Sequence, residues 1–173
     1  LSVFQGLFAD RYNTVPDSNG EPIVNSATLT EELGIYMAIS TDGKLKIYKY
    51  IQAAADTTIA DGTALCHLTG SNYDGYTASS DRTDNNENLP MGVGIGAITA
   101  AYYGWILVYG EHDAILTDGD GDIAEGDSLI IHATTDGVVD TTATGTAPKS
   151  KPLGICLTDD TATTVHGLVT CFP

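Results

Sequence analysis

Three short segments of this chain recur in the same order at almost the same distance. Ile59-Ala60-Asp61-Gly62-Thr63-Ala64-Leu65 returns as Ile123-Ala124-Glu125-Gly126-Asp127-Ser128-Leu129, 64 residues on. Pro90-Met91-Gly92-Val93-Gly94-Ile95 returns as Pro152-Leu153-Gly154-Ile155-Cys156-Leu157 after 62, and Gly104-Trp105-Ile106-Leu107-Val108-Tyr109 as Gly167-Leu168-Val169-Thr170-Cys171-Phe172 after 63. An ordered echo of this kind is the mark of a duplicated supersecondary unit. Two copies fall short of the roughly three that a solenoid needs, so they are expected to close on one core as a barrel or a sandwich.

The repeat is β in character. Trp105-Ile106-Leu107-Val108-Tyr109 is the longest bulky apolar run, contains the only Trp and is bounded by Gly104 and Gly110; it reads as a buried strand with Trp105 as core anchor. Upstream, Met91 to Ile98 alternates glycine with apolar residues. Such a strand lacks one row of side chains, so another backbone can approach it closely. Thr99 to Gly104 would join the two as a hairpin. The fold class that follows is all-β: a single compact β-barrel or β-sandwich built from a duplicated unit, with halves at about 59–110 and 123–173 inside a β domain of residues 31–173.

Residues 1–30 are different. Pro16, Pro22 and the turn-rich Asp17-Ser18-Asn19-Gly20 interrupt scattered apolar residues, and no helical or strand period lasts. An extended N-terminal arm is the simplest reading, with a short helix at Val3 to Phe8 the alternative. Its apolar residues Phe4, Leu7, Phe8, Ile23 and Val24 need cover, from their own domain or from a neighbour, and are candidate interface residues. Next, Leu33 to Ile39 and Lys44 to Ile51 flank Ser40-Thr41-Asp42-Gly43, and Asp-Gly between β-rich runs is a strong hairpin signal. Lys44, Lys46 and Lys49 are read as one polar face, three of only seven basic residues, and a candidate contact for an acidic partner. Gly70 to Asn88 and Asp136 to Pro152 read as long polar loops at equivalent places in the two copies.

Charge narrows the function. Seven Lys+Arg against 23 Asp+Glu leave a net charge of −16. No basic patch is available to neutralise phosphates, so no nucleic-acid partner is expected, nor an anionic membrane surface. No apolar run approaches the roughly 18 residues of a membrane span. The three cysteines, Cys66, Cys156 and Cys171, fit no metal spacing. They read as buried thiols in a protein made in a reducing compartment, with a Cys156–Cys171 disulfide open only if their strands adjoin.

Motifs that look chemical fail on context. Gly92-Val93-Gly94-Ile95-Gly96-Ala97 matches a dinucleotide fingerprint, but β rather than helix is expected after it. Asp118-Gly119-Asp120-Gly121-Asp122 resembles the start of a calcium loop, yet Ile123 and Leu129 stand where Gly and Glu are required; it reads as an acidic turn. His67, His112, His132 and His166 are dispersed, and Glu111-His112-Asp113 reads as a polar turn after the core strand. No nucleophile elbow or phosphate loop occurs. No catalytic residues, metal site or cofactor are therefore assigned.

The motif order from Pro90 through Gly92-Val93, Gly96-Ala97-Ile98-Thr99-Ala100, Tyr103-Gly104-Trp105 and Val108-Tyr109-Gly110, continued by Ala124 to Leu129 and Lys151 to Ile155, resembles the capsid decoration or cement proteins of tailed bacteriophages. The resemblance covers residues 55–173 and omits the arm and first hairpin. It implies a non-enzymatic structural protein made in the bacterial cytoplasm and placed on the outer surface of the virion head. Its implied partners are the major capsid protein and itself, as a homotrimer or a dimer, and its arm would contact the shell or a neighbouring subunit. A second class stays open: a receptor- or carbohydrate-binding β module of a fibre or adhesin, with Tyr73 and Tyr76 as a sugar platform.

Overall fold

The computed structural model describes residues 14–68, 73–81, 85–141, 151–159 and 163–171, and over these it is all-β. Its strands are β1 (Tyr36–Thr41), β2 (Lys44–Ala53), β3 (Ala64–Leu68), β4 (Thr77–Ser79), β5 (Asn85–Gly94), β6 (Tyr103–Leu116), β7 (Ser128–Ile131), β8 (Val139–Thr141), β9 (Gly154–Thr158) and β10 (Thr164–Thr170). All belong to one sheet in the order β1-β2-β4-β3-β5-β6-β10-β9-β7-β8. The duplication is visible in that order. β3 to β6 run 4-3-5-6 and β7 to β10 run 8-7-9-10, and the two units meet where β6 pairs antiparallel with β10.

The two copies also share their register. Leu65 opposes Gly92 in the first and Leu129 opposes Gly154 in the second. The turns entering β3 and β7 repeat bond for bond. The N–H of Ala60 donates to Thr63 Oγ1 at 3.1 Å, and that of Ala124 to Asp127 Oδ2 at 3.0 Å. Gly62 and Gly126 donate to the carbonyls of Gly94 and Cys156, both at 2.9 Å. Gly94 and Cys156 return bonds to Thr63 and Asp127 at 2.9 and 2.8 Å. The missing row of side chains does the work expected of it: a Cβ on Gly92 would fall 2.3 Å from the Leu107 carbonyl, and one on Gly154 2.1 Å from that of Leu168.

Each unit curls toward closure. The Asp42-Gly43 turn, with φ of 52° and 80°, returns β1 into β2 with Thr41 opposite Lys44. β2 then pairs parallel with β4 and antiparallel with β6, completing the ring β2-β4-β3-β5-β6. Ile51, Ala53, Leu65, Ala78, Met91, Ile106 and Val108 form one buried cluster drawn from all five strands. In the second unit a parallel bridge between Thr117 and Val139 brings β8 back to the end of β6. Ile115, Leu129, Ile131, Val139, Val165 and Val169 bury there, in a cluster continuous with Tyr48, Tyr50, Trp105 and Leu107 on the other face of the first ring.

Three sequence expectations change. Glu111-His112-Asp113 is not a turn but part of β6, which runs on to Leu116 past a register irregularity at Val108, between Leu107 and Tyr109. The segments read as loops at 70–88 and 136–152 each carry a short strand, β4 and β8, and β5 already begins at Asn85. The connection from β5 to β6 spans 95–102, since the glycine-alternating strand ends at Gly94.

The repeated turn gives a paired test. Both glycines have positive φ, 75° at Gly62 and 90° at Gly126, a region that costs a residue with a Cβ about 1–2 kcal/mol. A Cβ on Gly126 meets nothing within 4 Å, whereas one on Gly62 would lie 2.0 Å from the Ala114 carbonyl. Gly126→Ala should lose only the conformational cost, and Gly62→Ala clearly more, in urea unfolding midpoints. Equal losses would contradict the packing of this turn against β6.

Candidate functional site

The described part of the arm lies across the first ring as a pinned strap. Asp17 Oδ1 accepts the N–H groups of Asn19 and Glu21 at 2.8 and 2.9 Å, which folds a tight turn. Ser26 and Tyr103 exchange backbone bonds of 3.1 and 2.9 Å, so the strap adds to the start of β6. Thr99 N–H donates to Asn25 Oδ1 at 2.9 Å. At the strap's start, Trp105 Nε1 donates to Thr14 Oγ1 at 3.0 Å, and Thr14 donates through both N–H and Oγ1 to Glu31 Oε1, at 2.8 and 3.0 Å. Glu31 is buried, Trp105 is 1% exposed, and its ring lies 5.1 Å from that of Tyr50. Thr14 thus ties the arm to the core tryptophan 91 residues away.

The outward side of the strap carries three exposed large apolar residues among polar ones such as Asp17, Ser18, Asn25 and Thr28. Val15 is 85% exposed, Leu29 55% and Ile23 47%. Ile23 also reaches over Gly96, and Val24 is half-buried against the core. Phe4, Leu7 and Phe8 lie outside the described residues.

The three lysines of β2 do not share a face. Lys44 and Lys46 project together, and each is ion-paired: Lys44 with Glu111 at 2.5 Å, Lys46 with Glu21 at 2.9 Å. Lys49, at odd spacing, turns to the opposite side, where it is only 8% exposed. It donates to the Gly75 carbonyl at 2.6 Å and sits 5.6 Å from the Tyr36 ring centre. Burial lowers its pKa. A single basic face for an acidic partner is therefore replaced by two neutralised lysines and one buried one. Between the strap's turn at Asn19-Gly20, the β1–β2 hairpin and Glu111–Asp113 of β6 lies a cleft of about 240 Å³, reached by Lys44, Lys46 and Tyr48.

The remaining candidates do not converge. His112 bonds Asp61 through Nε2 at 3.2 Å and accepts from Ala114 N–H through Nδ1. His132 accepts the N–H groups of Thr134 and Thr135 and faces Asp118 at 3.1 Å. His166 faces Asp113 and Glu111 at 3.4 and 3.6 Å. Among the described residues no group of three or more His, Cys, Asp or Glu is placed to hold a metal ion. In the acidic turn, burial and then the neighbouring Asp120 push Asp122 up to about 6. Cys66, Cys156 and Cys171 form no disulfide with one another, and Cys156 opposes Gly167 rather than Cys171. Burial pushes Cys171 up to about 12. Sequence reasoning missed the Thr14–Glu31–Trp105 link, for which no local signal exists, and the fully buried Tyr48 beneath the cleft.

No protein-family model matches this chain, and no curated protein matches it. Among solved structures it is similar to the N base of the head fibre protein gp8.5 of bacteriophage phi29. Identity is 15%, the match covers 72% of this chain and 94% of that one, and the TM-score is 0.46.

His67 supplies a pH test. Burial, and then the charge of Lys49, lowers its pKa to about 4, while an unfolded histidine titrates near 6.5. Between those values the unfolded chain binds the proton and the folded one does not. The stability this residue confers is complete above about pH 6.5 and falls as pH drops toward 4. In urea midpoints compared at about pH 7 and about pH 4.5, His67→Gln should show a smaller acid loss than the parent. An identical loss would show that His67 titrates normally in the folded protein.

Proposed function

We propose that this chain is a non-enzymatic structural protein of a tailed-phage head, which binds the outer surface of the assembled major capsid protein lattice and stabilises it. The observation that carries the reading is the strap: three large apolar side chains, Val15, Ile23 and Leu29, face solvent on a segment whose other side is fastened by hydrogen bonds. Fastening one side of a segment lowers the ordering cost of docking the other, which suits a clip better than a tether. The motif order of residues 55–173 supports the same role.

The mechanism follows from linkage. A protein that binds the assembled lattice and not its separated subunits stabilises the lattice by mass action. A homotrimer or dimer spanning several subunits multiplies the effect through effective concentration. The charge of −16 keeps such a clamp off packaged DNA.

Val15 and Leu29 are exposed enough for replacement without unfolding the domain. The double variant Val15→Asp/Leu29→Asp should keep the parent's melting temperature. It should weaken binding to shells assembled from the cognate major capsid protein by at least about tenfold, or about 1.4 kcal/mol. Parent-like binding would remove the strap from the interface, and failure of the parent to bind any shell would overturn the function.

A further inference from the structure

The register that makes the two units alike also shows where they part. In the first unit Ala64 opposes Val93, Val93 opposes Leu107 and Leu107 opposes Tyr48, a row that crosses β3, β5, β6 and β2. The corresponding row of the second unit is Ser128, Ile155, Leu168 and Glu111, across β7, β9, β10 and β6. Directly opposed residues put their side chains on the same face of a sheet. All four members of the first row are buried, none more than 1% exposed, in the cluster that the first unit shares with Ile115 and Leu129 of the second. In the second row Ile155 is 43% exposed and Leu168 half-buried, and neither belongs to a buried cluster. A face that the first unit covers from within the chain is thus left open in the second, and is still aliphatic. Apolar patches rimmed by polar residues mark interaction sites.

The rim is acidic. Asp113, its side chain 94% exposed, lies 3.4 Å from His166, which also faces Glu111 at 3.6 Å. On the far side, Asp159 follows β9 and accepts the N–H of Glu125 at 2.7 Å, and both residues are exposed. Few cations stand against these carboxylates. Among the described residues Lys44 and Lys46 are already ion-paired and Lys49 is buried, which leaves Lys151, just before β9.

That charge selects the occupant. A second copy would offer its exposed apolar side chains Val15, Ile23 and Leu29 on a strap that carries Asp17 and Glu21 and no lysine or arginine from 14 to 31; acid would meet acid, which disfavours the contact. A segment with basic residues around an aliphatic centre is complementary on both counts. We propose that the outer face of β9 and β10 docks a protein segment whose aliphatic side chains cover Ile155 and Leu168 and whose lysines or arginines meet Asp113, Glu125 and Asp159. The proposal rests on the sheet register and the charge of the rim, and is independent of the strap and of capsid binding.

The test is an NMR titration of the full chain with short peptides in which leucine and threonine alternate at the centre and lysines or arginines stand at both ends. Two controls replace the basic residues by glutamate, or the leucines by serine. The basic leucine peptides should give saturable shifts at Ile155 and Leu168, and the controls should not. Ile155→Ser should weaken that binding about tenfold and keep the parent's melting temperature, since its side chain lies outside the buried clusters; Leu168→Thr should weaken it in the same direction. Asp113→Asn with Asp159→Asn should weaken binding and flatten its salt dependence. Absence of saturable shifts with the basic leucine peptides, equal binding of either control, saturation confined to other residues, or parent-like binding by Ile155→Ser would each overturn the proposal.

Discussion

β6 is hydrogen-bonded to two different sets of strands along its length, and the rest of the molecule depends on that double membership. From Tyr103 to Tyr109 it pairs with β2, and Ile106 and Leu107 also face β5. From Tyr109 to Leu116 it pairs with β10. One strand of 14 residues therefore closes the first ring and founds the second. Backbone groups within a packed sheet must be paired or they cost free energy, so neither unit can leave β6 without stranding donors and acceptors of the other. Side chains reinforce the coupling: Ile106 and Val108 fill the first ring, while Trp105 and Leu107 join the cluster that runs into the second unit.

What was legible in the sequence was what local chemistry dictates. The Asp42-Gly43 hairpin and the glycine row at Gly92 and Gly94 each state a backbone requirement in residues a few positions apart. The echo at about 63 residues became a pseudo-symmetric pair of four-stranded units because equal segments make equal bonds. The short strands β4 and β8 were illegible: Thr77-Ala78-Ser79 and Val139-Asp140-Thr141 are too brief and polar to show a period, and exist because neighbouring strands offer open edges. The continuation of β6 through Glu111-His112-Asp113 was hidden because its polar residues alternate toward solvent while His112 turns inward. Lys49 was misread for a plain reason of parity, an odd position grouped with two even ones.

Two neighbouring regions of the described surface differ in chemistry. The strap carries exposed apolar side chains on a segment tied to Trp105 through Thr14, so its shape is set by the core. Beside it, the cleft is lined by two lysines and three carboxylates. In a chain of net charge −16, neither region offers a cationic surface. Both depend on residues 14–31 staying against the first ring, and so on the strands that bury Trp105 and Tyr50.

The most direct test of this account is native-state hydrogen exchange followed along β6. If one strand holds both units together, the amides of Ile106 to Val108 and those of β10 that pair with Glu111 and His112 should exchange only by global opening. They should share one free energy and one denaturant dependence. Exchange of the β7–β10 amides through a lower-energy opening, with the first ring still protected, would show two independently stable units and contradict the central role given to β6.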